Sequence, residues 1–147
     1  MQTYRVSYRV EIPGLPRPWT VWVKRSRQPQ GFINMQAWQL SIQRAIKQTY
    51  PSVSPITGLA LLSMIFRFPI PSTCPKTEPK RTQWMSRHPP GRGDLRNYEK
   101  AAEDALQGLL MSNDSHVVES WGMKEWLDGS LSTSEGYTII GLWEIER

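Results

Sequence analysis

The stretch from residue 94 to 117 concentrates carboxylates, a lysine and carboxamides at regular spacings: Asp94, Asn97, Glu99, Lys100, Glu103 and Asp104, followed by Asn113 and Asp114. Asp94 stands just before a helix-like segment and Asp114 just after it. Asn97, Lys100, Ala101 and Asp104 fall at i, i+3, i+4 and i+7 and so share one helical face. Glu99 and Glu103 take a neighbouring face, in line with Arg96. Oxygen ligands of this kind suit a hard divalent cation, Mg²⁺ or Mn²⁺. The same residue types also have plain structural uses. Asp94 is a good helix cap, Asp114 a common turn residue, and Lys100 with Asp104 an i, i+4 pair worth roughly a few tenths of a kcal/mol. Glu99 and Glu103 read equally as solvated helix residues. Both chemistries stay open at this point.

Other candidates are thinner. Cys74 is the single cysteine, so it has no internal disulfide partner and no catalytic pattern around it. His88 and His116 are isolated and build no zinc site. Trp84 differs from the other tryptophans because it lies among cations, where stacking on an exposed base is one reading. Trp38, Trp121, Trp126 and Trp143 sit in periodic segments and read as core or dimer contacts.

The elements that must carry these groups follow from the patterning. Residues 4–12 alternate as a half-buried strand, which Pro13, Gly14, Pro16 and Pro18 break. Trp19–Val23 suggests a short strand, followed by the basic loop Lys24, Arg25, Ser26, Arg27. Asn34 is a plausible N-cap for a helix whose Trp38, Ile42, Ala45 and Ile46 recur at helical spacing, ended by Pro51. Residues 58–68 are apolar nearly throughout and read as a buried central strand. Residues 69–93 form a long connection with six prolines and five cations (Lys76, Lys80, Arg81, Arg87, Arg92) against one acid, Glu78. Connections of that length without structure are usually functional or disordered. A helix over 97–110 and strands over 116–126 and 137–145, joined by Asp128-Gly129-Ser130, complete the order. This is an α/β (α+β) domain over residues 1–147, with a small mixed sheet and two main helices on one face.

Composition sets the outer bounds. The chain has 147 residues with a formal net charge of +5 and 39% apolar residues, a globular rather than a disordered make-up. No apolar run reaches the ~20 residues that span a bilayer, and the N-terminus lacks a signal-peptide apolar region. The expectation is a protein of a reducing cytoplasm, with no membrane partner. The basic excess is compatible with a polyanion.

The run Asp94…Asn97…Lys100…Asp104-Ala105-Leu106…Gly108, closed by Asn113-Asp114-Ser115-His116-Val117, resembles the RusA family of Holliday junction resolvases of bacteria and their phages. The Pro- and Lys-rich segment from Pro75 to Pro90 looks like the connection ahead of that motif. The resemblance implies a RusA-like fold and an Mg²⁺-dependent (or Mn²⁺-dependent) endodeoxyribonuclease. It would bind four-way or branched DNA as a homodimer, in recombination and repair, encoded by a phage or prophage and acting in the bacterial cytoplasm. It implies Asp94 and Asp114 as catalytic metal ligands, with Glu99, Glu103 and Asp104 as further candidates, and Lys100 at the phosphate. Asn97 and Asn113 would support them. DNA would be gripped by Lys24, Arg25, Arg27, Lys76, Lys80, Arg81, Arg87, Arg92 and Arg96.

One position departs from the pattern. Arg96 stands where the family has the second aspartate of its first motif, a change of two charge units that removes a ligand. Either Glu99 or Glu103 restores the missing carboxylate and Arg96 turns to phosphate, or the chain binds branched DNA with little or no cutting. A basic domain for RNA or for another protein is a third reading, and it predicts no preference for junctions.

Overall fold

The alternating N-terminal residues form β1 (Thr3–Pro13) in the computed structural model, which describes residues 3–21, 29–127 and 135–146. Val10 and Ile12 turn into the core while Arg9 and Glu11 face solvent, as the period of a strand requires. The strand expected over Trp19–Val23 does not form at residues 19–21, and its remainder lies outside the described residues. Pro16 and Pro18 remove two backbone donors there. Trp19 instead gives its N–H to the carbonyl of Asn97 at 2.8 Å.

Helix α1 (Gln30–Thr49) begins four residues before the expected cap. Pro29, extended at φ −70° and ψ 150°, takes the cap position. Asn34 is therefore inside the helix, where its Oδ1 accepts from Gln30 Nε2 at 2.9 Å. The polar first turn has no apolar period to announce it. Met35, Trp38, Ile42 and Ile46 make the buried stripe.

Strand β2 (Ala60–Phe68) is central, as its apolar run predicts. The sheet order is β1-β4-β2-β3, with β3 (Val117–Trp126) parallel to β2 and β4 (Tyr137–Glu146) antiparallel to both β2 and β1. Leu62, Met64 and Phe66 of β2 line up with Leu142, Ile140 and Thr138 of β4 on one face, and all six are buried. That face takes the helices: Trp38 of α1 meets Phe66 with ring centroids 6.1 Å apart. Truncating such a buried ring to alanine typically costs about 3–5 kcal/mol.

The 69–93 connection is not structureless. It contains a third helix, α2 (Lys80–Arg87), which buries no residue and so leaves no hydrophobic period to read. Helix α3 (Leu95–Leu106) starts two residues earlier and ends four earlier than expected. Gln107 is extended and Gly108 takes φ +83°, a left-handed turn that suits glycine. Ala101, Ala102 and Ala105 are buried and small, and α1 packs on α3, with Gln39 Nε2 donating to the Ala101 carbonyl at 2.9 Å. The loop 128–130 and the cations Lys24, Arg25 and Arg27 lie outside the described residues. The architecture is α+β, a four-stranded mixed sheet with three helices. No helix among the described residues is long and apolar enough to cross a membrane.

Candidate functional site

Helix α3 runs over β3 in the opposite direction, and this course decides which acids meet. Near the start of α3, Lys124 of β3 donates to the Gly93 carbonyl at 2.9 Å. One turn on, the Glu99 side chain lies over Gly122, where an added Cβ would come within 3.0 Å of its Cδ. Further on, Asp114, just before β3, is close enough to act on Glu103 and Asp104. Asp94 and Asp114 therefore belong to opposite ends of a 12-residue helix, which is roughly 18 Å long at ~1.5 Å per residue.

The acids at the Asp114 end are electrically strained. Glu103 is half-buried; loss of water raises its pKa above the usual carboxylate range, and Asp114, Glu99 and Asp104 push it further up. Desolvation also raises Asp104, with Lys100 pulling it down and Asp114 pushing it up. Glu99 is raised by burial and eased by the exposed Arg96. A dication would relieve all of these repulsions, and oxygen-only donors match a hard metal. The carboxylates are not drawn together in advance: among the described residues, no three His, Cys, Asp or Glu side chains stand close enough to form a ligand set.

The structural uses considered for these residues are only partly realised. Asp94 occupies the cap position of α3 with extended backbone, yet its side chain makes no capping bond and is exposed. Asn113 does cap, its Oδ1 accepting from Ser115 N at 3.0 Å at the start of a 3₁₀ turn over Asp114–His116. Asn97 is held by its backbone, accepting from Trp19 and donating to the Asp94 carbonyl. Lys100 is not in close ion-pair contact with Asp104. Its Nζ lies 3.7 Å from the centroid of the Trp19 ring, a cation–π contact.

The turn feeding α3 is tightly built. Gly91 has φ +70°, and a Cβ there would sit 2.6 Å from Phe68 Cζ. Tyr98, buried on α3, donates its hydroxyl to the Arg92 carbonyl. Ahead of this turn, Lys76, Lys80, Arg87 and Arg92 are exposed and Arg81 is half-buried. Sequence reasoning missed several residues around them. Trp126, read as core or dimer contact, is half-buried and packs on Trp84 at 5.6 Å, its Nε1 donating to the His88 carbonyl at 3.2 Å. His88, read as a loop residue, closes α2 with its ring stacked on Trp84 at 4.3 Å. Arg17 and Trp19 drew no notice as site residues. The signal for Trp19 was one aromatic between prolines, too weak to use alone.

A family model described as endodeoxyribonuclease RusA matches residues 17–130. The chain belongs to the RusA endodeoxyribonuclease family. The match runs from ahead of α1 through α3 and β3, so it takes in the acid cluster, the basic connection and the turn between them; β1 and β4 lie outside it. No curated protein matches the chain. For a RusA-family chain, the acids of α3 and the Asp114 turn are the expected place for chemistry. The structure brings Glu103, Asp104 and Asp114 within electrostatic reach of one another there, and leaves Asp94 at the far end.

Proposed function

We propose that this RusA-family chain is a divalent-metal-dependent endodeoxyribonuclease that cuts four-way (Holliday) or branched DNA in recombination and repair. The observation that carries the reading is the half-buried Glu103, flanked by like charges from Asp114, Glu99 and Asp104, beside a connection rich in Lys and Arg. Asp114, Glu103 and Asp104 would hold Mg²⁺ or Mn²⁺, with Glu99 next in line and Asp94 assigned by resemblance alone. Bound there, the metal would polarise a phosphodiester and acidify a water. The protein's own part is to bind and orient. Lys100, steadied over Trp19, offers its ammonium to phosphate charge. Lys76, Lys80, Arg81, Arg87 and Arg92, with Lys24, Arg25 and Arg27, supply backbone contacts. Asn113 shapes the turn that presents Asp114, and Asn97 anchors the Trp19 segment.

A homodimer fits two symmetric cuts. The sheet face away from the helices supports it. Trp121 and Met123 of β3 are 47% and 42% exposed on that face, with Leu61, Ile65 and Trp143 half-buried beside them. Trp121→Glu should shift a dimer toward monomer in sedimentation. A phage or prophage origin and a cytoplasmic setting are part of the same reading.

The second reading is a weakly active or inactive binder of branched DNA. Arg96 in the family's aspartate position and the separation of Asp94 from Asp114 favour it. One assay separates the two: a synthetic four-way junction in EDTA, Mg²⁺ or Mn²⁺, read for paired nicks and for gel shift. Paired nicks with either metal support the nuclease. A shifted junction left intact at high protein concentration sinks it.

A further inference from the structure

We propose that the cavity between α2 and the start of α3 is a subsite for one unpaired nucleobase with its attached phosphate. The inference rests on the DNA reading above and adds to it a place and a ligand class. The cavity encloses about 830 Å³, within the ~300–1,000 Å³ of small-ligand sites. That is room for a nucleotide-sized group and not for a duplex.

Its walls suit a flat heterocycle. Trp84, His88 and Trp126 line it. The His88 ring lies nearly parallel to the Trp84 indole, at 11° and 4.3 Å. That shows the indole face already accepting a planar heteroaromatic. Trp126 is tied to the same turn through the His88 carbonyl, so the three rings are held together before any ligand arrives. Pro16, Pro18, Pro69 and Pro71 also line the cavity, and proline walls lose little freedom on binding. Base–aromatic stacking is indifferent to base identity because every base has a π face.

The cavity also carries charge. Arg17 and Arg92 are among its lining residues, and guanidinium groups match phosphate oxygens in charge and geometry. An apolar ligand would leave both unused, whereas a base attached to a phosphate engages rings and cations together. Position supports the same ligand. Arg92 lies two residues before Asp94, and Tyr98 of α3 closes part of the wall. A nucleotide here would be drawn out of a strand that passes along α3.

The test follows the seven indole N–H resonances by NMR in the full chain. The probes are a single-stranded thymidine trinucleotide and its counterpart with an abasic centre, which keeps every phosphate and lacks the base. The Trp84 and Trp126 signals should shift with the first probe and stay in place with the second. Trp84→Ala should weaken the first by at least about fivefold, the lower end of stacking on an aromatic, and Trp84→Phe should retain it. No residue of α2 is buried, so neither variant disturbs the core. Equal shifts with both probes, or no shift of either indole at millimolar probe, overturn the proposal. If that happens while junctions are still nicked, the subsite alone is wrong. If the indoles respond as expected while no junction is bound or cut, the subsite stands and the junction reading fails.

Discussion

Lys100 holds its ammonium 3.7 Å from the centroid of the Trp19 ring, so the catalytic-face lysine is positioned by an aromatic from a different segment of the chain. Trp19 is itself fixed to α3, because its N–H bonds the Asn97 carbonyl one turn before Lys100. The pair joins the proline-rich segment after β1 to the helix that carries the acids. An exposed cation–π contact is worth about 0.5–1 kcal/mol.

Trp19→Ala should lower junction cleavage several-fold, and the loss should be smaller when Lys100 is already alanine. A double-mutant cycle on cleavage rates checks this, with an expected coupling of about 0.5–1 kcal/mol. Fully additive losses would mean that Trp19 does not act through Lys100.

Glu103→Gln should make the fold more stable at neutral pH while reducing cleavage. Burial first, then Asp114, Glu99 and Asp104, raise the Glu103 pKa in the folded state. The native chain therefore binds this proton more tightly than the unfolded chain, and stability falls as pH rises from the ordinary carboxylate value through the raised one. Below the ordinary value both states are protonated and the penalty is absent. Thermal melts across that range should show the advantage of the glutamine variant appearing only as pH rises. An advantage that is constant with pH would contradict the electrostatic cause.

Arg96→Asp should tighten Mn²⁺ binding several-fold and increase nicking. Arg96 lies in line with Glu99 and Glu103 on α3 and currently lowers the Glu99 pKa. Reversing its charge makes that line acidic throughout. Calorimetric titration with Mn²⁺ measures the change, and unaltered affinity would show that this end of the helix takes no part in holding metal.

Gly91→Ala should cost more than about 1 kcal/mol in denaturant unfolding. Its φ of +70° disfavours any L side chain, and the new Cβ would press on the Phe68 ring at 2.6 Å. Cleavage should fall as well, because this turn sets the start of α3. A variant as stable as the parent would mean that the turn adapts freely.

Much of this was legible in the residues themselves. Alternation marked β1, the apolar run marked β2 as central, and the Asp94-to-Val117 pattern pointed to the family before any geometry. Helix α2 was hidden because it buries nothing, so its residues carry no hydrophobic period. The start of α1 was hidden for a similar reason, with Pro29 in the cap position and a polar first turn behind it.

Sequence by itself determined the element order, the central strand, the basic connection and the family motif with Arg96 in an aspartate's position. All of these are matters of residue type and spacing along one element or between neighbours. Only the tertiary structure decided which motif residues meet. Because α3 lies antiparallel on β3, Asp114 joins Glu103 and Asp104 while Asp94 stays at the other end, two groups that a linear pattern writes side by side. The same folding set Trp19 under Lys100 and closed Trp84, His88 and Trp126 around one cavity. Contacts between residues distant in the chain depend on how elements are laid across one another, and no local period encodes that.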